Sequence, residues 1–167
     1  RWLKVKLYFQ TFPMYKAGVA GSFAPLAFGP DGTLFVETAA GKDKTAVHTY
    51  DLASGKISPE PIVETDGYDF TGKLIIADGK LLGMQLVTDA ESTVWIDARM
   101  KAVQKEVDSK LGATVNIISV AARPELPVVL VTAYSDVQPA AFLLYNTESK
   151  EFTRLGASHP AIKPEQM

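Results

Sequence analysis

The chain has 167 residues, 47% of them hydrophobic, enough to enclose a sizeable core. Its 17 Lys and Arg stand against 19 Asp and Glu with no run of either sign, so the basic face that a nucleic-acid partner requires is missing. There is no cysteine to form disulfides or thiolate metal sites, and no apolar stretch approaches the roughly 20 residues of a membrane-spanning helix. The expectation is a soluble chain, cytoplasmic or periplasmic, without a membrane or nucleic-acid partner.

Taken in order, Arg1–Leu7 alternates like a strand and lacks the charged head and long apolar run of a signal peptide. Pro25–Phe28 leads into Gly29-Pro30-Asp31-Gly32, whose Pro and Gly suit successive turn positions, and Thr33–Thr38 resumes as a strand. A polar loop at residues 39–44 precedes the strand Ala46–Tyr50 and the turn Ala53-Ser54-Gly55-Lys56; Pro61-Ile62-Val63 is expected as a short edge strand. Lys73–Ala77 and Leu81–Val87 flank Asp78-Gly79, a strong hairpin signal, and Thr93–Ile96 follows as a third strand.

From Ala98 to Leu111 the period changes. Met100, Val103, Val107 and Leu111 recur at helical spacing, Asp97 is placed to cap the first turn, and Gly112 is placed to end the helix in the left-handed conformation. Strand character returns at residues 115–120, which fit the end of one sheet or the start of the next. It continues at Val128–Tyr134, Phe142–Tyr145 and Glu151–Leu155, and the proline-bearing tail from Ser158 reads as a linker.

Three of these strands end on a hydrophobic residue followed by a small carboxylate or amide: Tyr50-Asp51, Ile96-Asp97 and Tyr145-Asn146, spaced 46 and 49 residues apart. A recurrence of about 40–50 residues fits a four-stranded propeller blade. The expected fold is all-β: a partial β-propeller of about three four-stranded antiparallel blades, near 20–65, 66–120 and 121–156, within a domain 1–157, with a helix inserted at 98–111 and a linker at 158–167.

Four stretches together resemble the propeller of bacterial serine peptidases of the prolyl oligopeptidase family, which includes acylaminoacyl-peptidase and dipeptidyl-peptidase relatives. They are Gly67-Tyr68-Asp69-Phe70; Thr88–Glu91 with Thr93–Gln104; Ala133–Asp136 with Leu144-Tyr145-Asn146; and Pro164–Met167. The resemblance implies an α/β-hydrolase domain following the propeller, which would carry the catalytic Ser, Asp and His and act on short peptides. No catalytic residue transfers to this chain, which has too few blades for the seven or so of a whole family propeller. The chain itself is therefore expected to be a non-catalytic portion, needing no cofactor and associating through its open ends. The alternative is an independent propeller-like module that binds a protein or carbohydrate.

Local motifs favour bland roles. Gly156-Ala157-Ser158-His159-Pro160 imitates a nucleophile elbow but has Pro for the last Gly and no helical pattern after it. Gly41-Lys42 with Thr45 lacks the upstream Gly and the helix of a phosphate loop. His48 and His159 have no neighbouring ligand at metal spacing, and His48 is expected in a blade interface with one ring nitrogen hydrogen-bonded. Asp66 with Asp69, and Asp89 with Glu91, supply too few oxygens for a calcium loop, and Tyr50, Trp95, Phe142 and Tyr145 read as inter-blade core. No catalytic, cofactor or metal residue is assigned.

Overall fold

A computed structural model describes residues 21–29 and 31–161. The strand expected at Arg1–Leu7, Pro30 of the first turn and Pro164–Met167 lie outside the described residues. The protein is all-β and propeller-like, built from three antiparallel sheets whose strands follow one another in sequence. The first sheet is β1 (Ala24–Phe28), β2 (Leu34–Thr38), β3 (Ala46–Asp51) and β4 (Lys56–Ile57). The second holds β5 (Gly72–Ala77), β6 (Lys80–Val87) and β7 (Glu91–Trp95). The third holds β8 (Val115–Ser119), β9 (Val128–Ser135), β10 (Gln138–Asn146) and β11 (Phe152–Ala157). Helix α1 (Ala98–Lys110) stands between β7 and β8, where the other two sheets have a fourth strand in chain order.

The turns form for the reasons their residues dictate. Asp78 and Gly79 both take positive φ, 47° and 64°, the two left-handed residues of a type I′ hairpin, whose twist matches the flanking strands. At the first hairpin the Asp31 carboxylate accepts from the Thr33 amide at 3.0 Å and Gly32 takes φ 84°. That bond also holds the Asp31 carboxyl below its ordinary pKa.

The recurrent strand endings share one device. Asp51 Oδ1 accepts from Ala53 N, Asp97 Oδ1 from Met100 N, and Asn146 Oδ1 from Glu148 N and Ser149 N. In each case the backbone then closes one α-turn: Gly55 N donates to Asp51 O, Lys101 N to Asp97 O and Lys150 N to Asn146 O, at 2.8, 3.0 and 2.9 Å. The paths diverge at that fourth residue. Gly55 and Lys150 turn left-handed, with φ 69° and 64°, and the chain reverses into β4 and β11. Lys101 stays helical, and Ala, Arg, Met, Gln and Glu on either side, all good helix formers, propagate the turn into α1.

Three expectations are corrected. Residues 115–119 belong to the third sheet, not to a blade ending at 120: they pair with β9 from Val115↔Tyr134 to Ser119↔Leu130. Strand periodicity is the same in either assignment, so only the register decides. The fourth strand of the first sheet is Lys56–Ile57, and Val63 adds only an isolated bridge to Val47, because Pro59 and Pro61 interrupt pairing along the edge of β3. Gly112 does not take the left-handed conformation; α1 ends at Leu111, φ −121°, whose amide still bonds Val107 O.

Alternation along the strands builds a continuous core. Phe35 and Val47 meet Phe70, Met84 and Leu86 between the first and second sheets. On the opposite face of the second sheet, Trp95 joins Met100, Val103 and Val107 of α1 and Ile118, Val129, Val131 and Tyr145 of the third sheet. The expected helical stripe is thus the buried one. Leading strands β1 and β5 approach each other, as successive blades do around an axis. Gly83 makes the central packing possible: a Cβ there would lie 2.9 Å from the Trp95 indole and 2.6 Å from Val94 O.

The cap on α1 is testable. Asp97→Ala is expected to lower stability by about 1 kcal/mol in urea unfolding, with Asp97→Asn losing less because an acceptor oxygen remains.

Candidate functional site

The densest polar arrangement lies at the seam between β7, α1 and β8. Trp95 Nε1 donates to Gln104 Oε1 at 3.1 Å, and Gln104 Nε2 donates to Asn116 O and to Asp108 Oδ1, both at 2.9 Å. Asn116, itself buried, donates to Asp108 Oδ1 and to the Leu111 carbonyl and accepts from Thr114 Oγ1 at 2.7 Å. The Leu111 carbonyl at the end of α1 accepts also from Thr114 N and Thr114 Oγ1, so the local turn and the next strand share it. The side-chain amides of Gln104 and Asn116 spend all their donors and both their oxygens in this network, which makes the seam a tie between sheets.

A second cluster docks the other side of α1 onto the β10–β11 turn. Lys150 Nζ bonds Glu106 at 2.8 Å, Lys110 Nζ donates to Lys150 O at 2.6 Å, and Lys110 stands 5.5 Å above the Tyr145 ring. The Lys150 bond holds the Glu106 carboxyl below its ordinary pKa. Tyr145 is fully buried and its hydroxyl makes no hydrogen bond of acceptable geometry. Burial first, and the Glu106 carboxylate second, push its ionisation up to about 12.

The residues weighed from sequence are dispersed. Ser158 and His159 are exposed beyond β11; His159 Nδ1 lies 3.2 Å from Ser158 Oγ, a neighbour contact that no carboxylate extends among the described residues. Lys42 pairs with Glu64, and Thr45 is buried, bonding Glu37 through its hydroxyl and Asp69 through its amide, so neither faces a phosphate-sized space. His48 is 1% exposed with Nδ1 2.8 Å from Ser58 O, the ring hydrogen bond expected for it, but it lies on the Val36 face of the first sheet, opposite the residues that meet the second sheet. Asp89 accepts from Tyr68 and Glu91 from Tyr134, raising both tyrosines above their ordinary pKa, Tyr134 chiefly through burial. Asp66 joins no cluster, and no group of three metal-ligating side chains occurs among the described residues.

Trp95 and Tyr145 are core, and Tyr50 stacks with Phe23 at 4.8 Å between centroids. Phe142 is half-buried on the face of the third sheet turned away from α1, paired with Thr132. One cleft of about 500 Å³ at the end of α1 gathers Lys110, Arg154 and His159 with no carboxylate in its lining. It holds no nucleophile aligned with a base, so hydrolytic geometry is absent from it. Sequence reasoning missed Gln104 and Asn116; both carry amides at positions where the helix and strand periods expect solvent or core, and that mismatch was the available signal.

No helix among the described residues is long and apolar enough to cross a membrane. No family profile, curated protein or solved structure matches the chain.

The raised Tyr145 has a defined consequence. Its folded-state ionisation lies above that of the unfolded chain, so its contribution is present below pH 10 and is lost as pH rises toward 12. Tyr145→Phe is expected to be near neutral at pH 7, because the hydroxyl has no partner to lose, and to show a shallower fall in urea midpoint between pH 9 and 11 than the parent.

Proposed function

We propose that this chain is a non-catalytic propeller portion of a serine peptidase similar to the prolyl oligopeptidase family, in which the sheets restrict access of peptides to a catalytic domain. The observation that carries the reading is a helix, rising within the Thr93–Gln104 stretch that resembles the family, set between the three-stranded second sheet and the four-stranded third sheet. A generic propeller calls for a fourth strand there. That no carboxylate among the described residues extends the Ser158–His159 contact is consistent with a role without chemistry of its own.

The face of the third sheet turned from α1 carries Leu130, Phe142 and Leu144, and no further sheet covers it among the described residues. An apolar sheet face of this kind supports packing against another blade or, in isolation, against a second copy.

Two outcomes are expected. The purified chain does not hydrolyse peptide or ester substrates and takes no label from a fluorophosphonate; turnover abolished by that reagent would overturn the reading. By light scattering the chain is at least dimeric at high concentration, and Leu130→Glu with Leu144→Glu shifts it toward monomer; a parent that stays monomeric throughout would remove the open-face association.

A further inference from the structure

The three sheets end on trailing strands of different quality. β4 has two residues and β11 pairs with β10 through a bulge, both devices that blunt an edge. β7 has neither. It runs in unbroken register with β6 from Gly83↔Trp95 to Val87↔Glu91, and no strand among the described residues pairs with its other edge, although β8 packs close to it.

The register says which backbone groups face outward. Ile96 N donates to Leu82 O, and antiparallel bonding repeats every second residue, so Val94 and Ser92 also turn toward β6. Glu91, Thr93 and Trp95 then direct their amides and carbonyls to the free edge, where no backbone partner occurs among the described residues. Val94 and Ile96 beside them are 44% and 47% exposed.

Alongside this edge runs an open groove of about 480 Å³, with Thr93, Val94 and Trp95 on one wall and α1 on the other. Lys101 and Lys105 line that wall, both exposed and neither paired with a carboxylate among the described residues. Asp108 also lines it, but its Oδ1 is held by Gln104 and Asn116. Those amides are neutral and leave the Asp108 carboxylate charged, so two lysines against one carboxylate give the groove a net positive charge, while Glu91, at the far end of β7, is bonded by Tyr134.

We infer that β7 is a strand-addition site: an extended acidic segment of a partner protein pairs with Glu91–Trp95 as the fourth strand of the second sheet, its alternate carboxylates meeting Lys101 and Lys105. Strand addition draws affinity from main-chain bonds and specificity from alternate side chains. On the helix side the incoming residues meet the two lysines; on the other they lie beside Val94 and Ile96, so the segment alternates acidic with β-branched residues. The inference is independent of the peptidase reading, since it uses only the edge and the groove.

The test uses the chain as it stands and a capped octapeptide alternating Glu with Val and Thr. Titration is followed by hydrogen exchange of the Thr93 and Trp95 amides. Saturating peptide is expected to slow both, and N-methylating alternate peptide amides on the bonding edge weakens binding by about tenfold or more, the scale of a hydrogen bond left unmade. Replacing Glu by Lys in the peptide weakens it comparably, and Lys101→Glu with Lys105→Glu reverses that preference. Thr93→Pro removes an outward donor without touching the ladder to β6 and also weakens binding; the N-methyl comparison needs no variant, so misfolding of the proline chain leaves the result standing. Unchanged exchange at Thr93 and Trp95, equal binding of the Lys peptide, or protection that appears without peptide and grows with protein concentration would each overturn the inference, the last by assigning the edge to a second copy.

Discussion

Every sheet in this protein depends on what happens in the five residues after its third strand. A short acceptor side chain takes up free amides, the backbone closes a single α-turn, and the next conformational choice fixes the architecture. A left-handed fourth residue aims the chain back along the sheet. A right-handed one leaves each new amide facing the carbonyl four residues earlier, and once that first turn is formed, extension needs little more than residues without a conformational objection. Gly55 turns left at no steric cost. Lys150 does so against its preference, stabilised by its carbonyl accepting from Lys110 and its ammonium donating to the Glu106 carboxylate. The middle sheet has neither glycine nor such a clamp at Lys101, and it continues as helix.

That choice reshapes the interface between the second and third sheets. A fourth strand would have covered the edge of β7; the helix instead inserts Met100, Val103 and Val107 between Trp95 and the Val129–Tyr145 ladder. Burying those three side chains contributes several kcal/mol, of the order of 2 kcal/mol each, and offsets the loss of an edge ladder. The insertion also places polar groups, Gln104 and Asp108, beside the backbone end of the next strand, and Asn116 satisfies them. Gly83 is the sequence's concession to this arrangement, since only a residue without a Cβ lets the indole lie across β6.

Much of this was legible because it is local. The Asp78-Gly79 hairpin, the Met100–Val103–Val107 stripe, the Asp97 cap and the burial of His48 follow from turn chemistry and periodicity over a few residues. What escaped is non-local. Nothing in residues 115–119 says which neighbour they pair with, because alternation marks a strand and not its partner. The expected terminator Gly112 is not left-handed, and the Leu111 carbonyl is bonded instead by Thr114 and, from the next strand, by Asn116. Pro61-Ile62-Val63 had strand composition, but Pro59 and Pro61 offered no amides where β3 required them. The seam itself was not legible, since Gln104 and Asn116 meet only when the helix and the next strand are packed together.

The distribution of polar groups decides where function can reside. Inside the fold, amide, hydroxyl and carboxylate groups of Trp95, Gln104, Asp108, Thr114 and Asn116 are bound to one another, and a catalytic group so engaged would have to break a structural bond before touching substrate. Outside, ionisable groups are held in local pairs, Lys42 with Glu64, Lys150 with Glu106 and Tyr134 with Glu91. Recognition has no such requirement. Main-chain groups along an uncovered strand are already aligned, their geometry held by the ladder behind them, and the helix that displaced the missing strand also placed two cations along the resulting groove. The same event that interrupts the regularity of the blades thus produces the one feature that a uniform stack would have hidden.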